Sequence, residues 1–139
     1  MRTYFTLLLT FAIFYSTPSY SCTDSKDPRS VVQAQVEAYN RHDIELFASC
    51  FSSDVKIYDL GSSSPSTQGI DALKKEYQFL NKVPKDFKAV IEKRMVHGPI
   101  VIDYERITGR QKGKEDILVF AIYEVRDGKI KNVWFPPSK

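Results

Sequence analysis

Apolar residues recur at helical spacing in the N-terminal half of the chain. Asp27 and Pro28 open the first helix, because aspartate caps helices and proline is tolerated in the first turn. Val32 and Tyr39 lie on its apolar face, and Asn40 is expected to end it in the left-handed conformation. The pattern predicts three helices, which cover 28–40, a segment beginning at Asp43, and 69–81.

The C-terminal half has the composition of extended strands separated by turns. Asp127 and Gly128 form the dipeptide preferred in a two-residue hairpin turn. The predicted strands are 55–60, 87–96, 100–108, 116–126 and 129–135. Because helices and most strands are segregated along the chain, the fold class is predicted to be α+β, with three N-terminal helices packed on a mostly antiparallel sheet.

The strand at 116–126 is apolar at both odd and even positions between Ile117 and Ile122. A strand with one solvated face would alternate between apolar and polar residues. We therefore expect helices to cover one face of this strand and a partner subunit to cover the other.

Side-chain alternation in the strand at 55–60 singles out one carboxylate. Val55, Ile57 and Asp59 share a face, so Asp59 is predicted to point inward with its apolar neighbours. A carboxylate in apolar surroundings has a raised pKa and suits general acid–base chemistry. The alternative is that Asp59 caps the Gly-Ser loop that follows it.

Composition is that of an ordinary globular protein, with 42% hydrophobic and 27% charged residues, and a net charge of +3 gives no sign of nucleic-acid binding. Residues 1–21 differ, because an apolar run ends in small residues, as in a secretory signal peptide. Residues 22–27 read as a linker and 28–139 as one domain. The protein is therefore expected to be periplasmic or secreted, without a membrane span in the mature chain. The alternative is that the apolar run remains as an uncleaved N-terminal anchor.

Cys22 and Cys50 are the only cysteines, and their pairing stays open at this point. An oxidising compartment would allow a disulfide. The alternatives are a lipid on Cys22, which would follow the signal peptide directly, and a buried, inert Cys50 on the second helix.

Six segments together resemble the SnoaL-like branch of the NTF2-like superfamily. They are 39–43 (YNRHD), 51–55 (FSSDV), 69–73 (GIDAL), 105–109 (ERITG), 123–130 (YEVRDGKI) and 133–135 (VWF). The resemblance implies a cone-shaped fold in which a strongly curved sheet encloses an apolar small-molecule pocket. It also implies a homodimer through the outer face of the sheet.

The resemblance carries a catalytic site over only in part. The carboxylate base of the ketosteroid isomerases falls on Asp59, but their oxyanion-holding tyrosine falls on Gln35 and its aspartate partner on Ala121. The arginine of the epoxide hydrolases falls on Arg106. We predict Arg106 to face the pocket, because its strand face is the more apolar one. The alternative is that the opposite face, with Asp103 and Glu105, points inward.

These observations predict a pocket protein that works without a cofactor or a metal ion. It is either an isomerase, lyase or hydrolase that uses Asp59 and Arg106, a non-catalytic binding protein, or a dimerising structural module. The residues expected to line the pocket are Gln35, Tyr39, Tyr104, Ala121, Tyr123 and Trp134.

Overall fold

Helices cover the inner face of a curved, six-stranded sheet in this α+β protein. A computed structural model describes residues 22–137, so the predicted signal peptide at 1–21 lies outside the described residues. The elements are α1 Pro28–Asn40, α2 Ile44–Ser49, β1 Phe51–Asp59, β2 Thr67–Gln68, α3 Ile70–Glu76, a 3₁₀ helix Tyr77–Asn81, β3 Lys88–His97, β4 Ile100–Thr108, β5 Ile117–Arg126 and β6 Lys129–Phe135.

The strand order is β2-β1-β6-β5-β4-β3, and the sheet does not close into a barrel. The β3–β4, β4–β5 and β5–β6 pairs are antiparallel, whereas β1 runs parallel to β6. Parallel pairing requires a crossover connection, and the helices and long strands between β1 and β6 form it. The sheet is therefore mostly antiparallel, as predicted.

Strand register separates two faces of the sheet. Ile57, Val133, Tyr123 and Val101 form one row across four strands, and all four are buried beneath the helices. The next row, on the outer face, consists of Tyr58, Trp134, Ile122, Ile102 and Met95. Both faces are thus apolar.

The observed start of β1 differs from the predicted one, because the first part of this strand contains polar residues. β1 begins at Phe51 instead of Val55, because Phe51 is buried and pairs with Ile130 of β6. A register shift between Phe51 and Lys56 accommodates this polar segment.

Two local predictions in the helical half are corrected. The third helix changes to 3₁₀ geometry at Tyr77. The left-handed residue after α1 is His42, with φ 57°, and not Asn40. Asn40 stays helical because its carboxamide binds the backbone of Ala89 on β3, donating to the carbonyl at 2.9 Å and accepting from the N–H at 2.8 Å.

Cys22 and Cys50 form a disulfide, with their Cα atoms 4.8 Å apart. The bond connects the segment before α1 to the start of β1. Because the disulfide uses the Cys22 sulfur, Cys22 has no thiol to carry a lipid in this state.

Candidate functional site

A cavity of about 440 Å³ lies between α1, the 3₁₀ helix and the inner faces of β3, β4 and β5. Aromatic and aliphatic side chains form most of its wall, and a few polar groups face it. The lining residues are Gln35, Tyr39, Glu76, Tyr77, Phe79, Val83, Phe87, Ala89, Glu105, Ile107, Arg110, Ile117, Val119, Tyr123 and Phe135. An apolar wall with a few polar groups is typical of small-molecule sites.

Glu105 is the buried carboxylate of this cavity, with 7% of its surface exposed. Alternation along β4 places it inward, with Val101 and Ile107 on the same face. The Tyr123 hydroxyl donates a hydrogen bond to Glu105 Oε1 at 3.1 Å. Burial, together with the nearby charge of Asp103, raises the pKa of Glu105 to about 7, against the lowering effect of Tyr123 and Arg94.

Asp103, two residues earlier on the same face of β4, is fully buried and paired. Its two carboxylate oxygens accept hydrogen bonds from Arg94 Nε and Nη2, each at 2.6 Å. Arg94 Nη1 also donates to Gln33 Oε1 on α1 at 2.9 Å. This network satisfies both buried charges and ties β3, β4 and α1 together behind Glu105.

Three tyrosines bring hydroxyl groups to the cavity. Burial, followed by the charge of Glu105, raises the pKa of Tyr39 and of Tyr123, and burial raises that of Tyr77. The rings of Tyr39 and Tyr77 meet edge to face, with centroids 6.3 Å apart. All three phenols therefore stay protonated at neutral pH, and the Tyr123 hydroxyl donates its proton to Glu105.

Gln35 faces the cavity one helical turn before Tyr39. It is 6% exposed, and its Oε1 has no hydrogen-bond partner within residues 22–137. A buried carbonyl oxygen in this state retains an unused acceptor.

Asp59 does not lie in this cavity. It is the last residue of β1, and its side chain is exposed. Its backbone carbonyl accepts a hydrogen bond from Ser62 N at 2.9 Å in the following turn. The prediction of an inward, buried carboxylate is wrong, because alternation assigns a side of the sheet but does not ensure that anything covers the strand end.

Arg106 lies on the outer face, with 41% of its side chain exposed, and its Nε binds Glu92 Oε1 at 2.6 Å. The predicted inward orientation is wrong, and the alternative orientation, with Asp103 and Glu105 inward, is the one observed. The apolar content of the two rows misled the assignment, since the outer face of the sheet is apolar as well.

The residues predicted to line the pocket divide between the two faces. Gln35, Tyr39 and Tyr123 line the cavity. Ala121 is buried on the inner face next to Tyr123 but is not part of the lining.

Tyr104 and Trp134 lie outside, contrary to expectation. Tyr104 stacks on Phe120 with ring centroids 4.6 Å apart, and Trp134 stacks on Tyr58 at 5.8 Å. Both stacks belong to the outer face of the sheet, which is why they contribute nothing to the cavity.

Sequence reasoning did not name Tyr77 or Arg94 as site residues, and it gave Asp103 and Glu105 only as the alternative. A usable signal for the buried charges lay on β4, where Asp103 and Glu105 alternate in step with Val101 and Ile107. Tyr77 lines the cavity from the first residue of the 3₁₀ helix.

A second, more open groove of about 560 Å³ lies at the other end of the helices and includes Glu45 and Lys74. These two side chains bind each other at 2.6 Å, and Glu45 is largely exposed. The charges of Glu45 and Lys74 are thus already paired and solvated, unlike the carboxylate of Glu105.

No group of three or more His, Cys, Asp or Glu side chains within residues 22–137 is arranged to hold a metal ion. None of the helices in that range is both long and apolar enough to cross a membrane.

The sequence matches the family model of the SnoaL-like domain over residues 32–133. No curated protein matches the chain.

Solved structures share the fold at low sequence identity. An uncharacterised cystatin-fold protein from Novosphingobium aromaticivorans superimposes with a TM-score of 0.67 at 20% identity, over 78% of this chain and 97% of that one. A candidate polyketide cyclase from Sinorhizobium meliloti has a TM-score of 0.63 at 19% identity, over 76% and 93%. A candidate ketosteroid isomerase from Kribbella flavida has a TM-score of 0.65 at 21% identity, over 86% and 84%.

Proposed function

Because the chain belongs to the SnoaL-like domain family, we propose that it is an exported protein that catalyses cofactor-free proton transfer on an apolar small molecule. The reaction class is isomerisation or a related lyase or hydrolase step, and Glu105 is the general acid–base in place of Asp59. One observation carries the proposal: Glu105 is buried in an apolar cavity, held through one oxygen by Tyr123.

The proposed step is abstraction of a proton from a carbon next to a carbonyl group. The Glu105 carboxylate takes the proton, the electron pair of the C–H bond forms a carbon–carbon double bond, and the π pair of the C=O bond moves to the carbonyl oxygen. The protonated hydroxyls of Tyr39 or Tyr77 stabilise that oxyanion. In an isomerisation, Glu105 then returns the proton to the same or another carbon, so no outside reactant is consumed. A base with a pKa of about 7 suits this two-way transfer.

The test is deuterium exchange into an apolar ketone. The disulfide-bonded protein is incubated with β-tetralone in D₂O, and NMR follows loss of the protons next to the carbonyl. We expect exchange above the buffer rate, and we expect Glu105→Gln to reduce it by about 100-fold to 10,000-fold. Asp59→Asn is the matched control, since it changes a carboxylate outside the cavity and should leave exchange intact.

Equal exchange rates in the wild type and Glu105→Gln would refute the acid–base role. Binding of β-tetralone without exchange would instead favour the second candidate, a non-catalytic binding protein. The apolar cavity wall favours that alternative as much as it favours an enzyme.

The disulfide supports the proposed export. A Cys22–Cys50 bond is typical of proteins that reach an oxidising compartment. A periplasmic or secreted location agrees with the signal-peptide pattern of residues 1–21.

The outer face of the sheet supports a homodimer. Phe120 and Leu118 on β5 are each 48% exposed, and Met95 on β3 is 63% exposed. The register places Phe120 beside Tyr104 and Ile122 beside Ile102, which pairs with Met95 on β3, so the apolar area is continuous across the strands. A second copy of the chain, docked face to face, would bury this area and explain why β5 is apolar on both sides.

A further inference from the structure

Gln35 carries an acceptor that the protein itself leaves unused. Its side chain is nine-tenths buried and lines the cavity, and Oε1 has no hydrogen-bond partner among the described residues. A buried polar atom without a partner is unfavourable, and an apolar side chain of similar size would avoid that cost. A hydrogen bond from a bound molecule removes it.

Neighbouring donors do not meet this need. The buried Arg94 gives its hydrogen bonds to Asp103 and to Gln33. The Tyr123 hydroxyl donates its hydrogen bond to Glu105. Gln33 lies two residues before Gln35 on α1, and its Oε1 accepts a hydrogen bond from Arg94. The side-chain oxygen of Gln33 is therefore paired, whereas that of Gln35 is not.

We propose that Gln35 is a specificity-determining residue that accepts a hydrogen bond from a hydroxyl or N–H group of the ligand. The inference rests on the proposed function, since it assigns a substrate class to the same cavity. The substrate is then an apolar ring or chain that carries a neutral donor group in addition to the carbonyl on which Glu105 acts. A site built to pair such a donor rejects analogues that lack it, because its acceptor is then left buried and unpaired.

The probes are three matched ketones: β-tetralone, a phenolic β-tetralone with one ring hydroxyl, and its methyl ether. Calorimetry measures binding to the disulfide-bonded protein. We expect the phenol to bind at least about 10-fold more tightly than either of the others. Gln35→Leu should abolish this preference and leave β-tetralone binding within about 3-fold.

Gln78→Leu is the control, because it changes an exposed glutamine outside the cavity lining, and it should keep the preference. If Gln35→Leu fails to fold, Gln35→Met replaces it, as it keeps the side-chain length without an acceptor. Equal binding of the three ketones by the wild type, a preference that survives removal of the Gln35 acceptor, or no binding of any of them would overturn the inference.

The two proposals fail separately. Deuterium exchange that depends on Glu105, without preference for the phenol, would sustain the proposed function and refute the role of Gln35. A Gln35-dependent preference without exchange would sustain the ligand class and refute the acid–base chemistry.

Discussion

The Tyr123 hydroxyl on β5 donates to Glu105 Oε1 on β4 over 3.1 Å. Tyr123 pairs in register with Val101, and Glu105 pairs with Val119, so the tyrosine side chain extends along the sheet to reach the carboxylate. Ala121 lies between Tyr123 and Val119 on this face and is small enough to leave that path open. One hydrogen bond thus holds the carboxylate proposed as the acid–base.

The hydrogen bond from Tyr123 stabilises the ionised form of Glu105 and lowers its pKa. Replacing Tyr123 by Phe removes this bond and should therefore raise the pKa of Glu105 further. The pH at which deuterium exchange reaches half its maximum should move upward with it. Exchange rates measured across pH 5 to 10, roughly bracketing the value near 7, check this shift. A profile that does not move, or that moves to lower pH, would contradict the role assigned to this contact.

Glu105 should make the protein less stable as pH rises. Its pKa is about 7 in the folded state against an ordinary 4.5, so between these values the folded state holds more protons than the unfolded state. The contribution of Glu105 to the free energy of unfolding, about 3 kcal/mol, is fully present below pH 4.5 and is lost as the pH rises through 7.

Urea unfolding of the wild type and Glu105→Gln at acid and at mildly alkaline pH measures this contribution. The variant should gain stability relative to the wild type at the higher pH. Glu115→Gln, which alters an exposed side chain, serves as the control. Parallel pH profiles for the wild type and Glu105→Gln would show that burial of Glu105 does not carry this cost.

The Arg94–Asp103 pair should be costly to break from one side. Arg94→Met leaves the fully buried Asp103 carboxylate without its partner, and we expect a loss of about 3–5 kcal/mol in the free energy of unfolding. The double change Arg94→Met with Asp103→Leu should recover much of that loss, because no buried charge remains. Chemical denaturation of the single and double variants makes the comparison, and equal losses in both would speak against it.

The disulfide should contribute about 2–4 kcal/mol to stability, since it closes a loop between residues 28 positions apart. Thermal unfolding of Cys22→Ser with Cys50→Ser, compared with the wild type, measures the difference. A reducing agent should lower the melting temperature of the wild type only. An intact-protein mass that shows two free thiols after export would rule the bond out.

Phe120→Lys should convert the proposed homodimer to monomers, because it places a charge in the centre of the outer apolar face. Gln78→Lys adds the same charge at an exposed site on the helical side and should leave the oligomer unchanged. Sedimentation velocity distinguishes the two states. A monomeric wild type would refute the proposed interface.

Local sequence patterns predicted the order of the main helices and strands. The N-terminal cap of α1 is as predicted, with Asp27 accepting a hydrogen bond from Ser30 N at 3.0 Å. The bounds of β4 and β6 also match the predicted ones. These features depend on neighbours within a few residues, which is the range over which capping and alternation act.

The inward side of β4 was decided only by tertiary structure. The row of Ile102 and Tyr104 looks more like a core than the row of Asp103 and Glu105, yet it lies on the outer face. Burial of the acidic row depends on Arg94 from β3 and Tyr123 from β5, which the chain brings together only when the strands pair. Local periodicity does not reveal such partners, because hydrogen bonds across strands join residues distant in sequence.

By itself, the sequence determined the α+β class, the placement of most helices and strands, and the apolar character of both faces of β5. The folded structure decided which face the helices cover, and thereby moved the candidate acid from Asp59 to Glu105 and left Arg106 outside. The physical reason is that alternation distinguishes two sides of a strand, whereas only packing against other elements determines which side is removed from water.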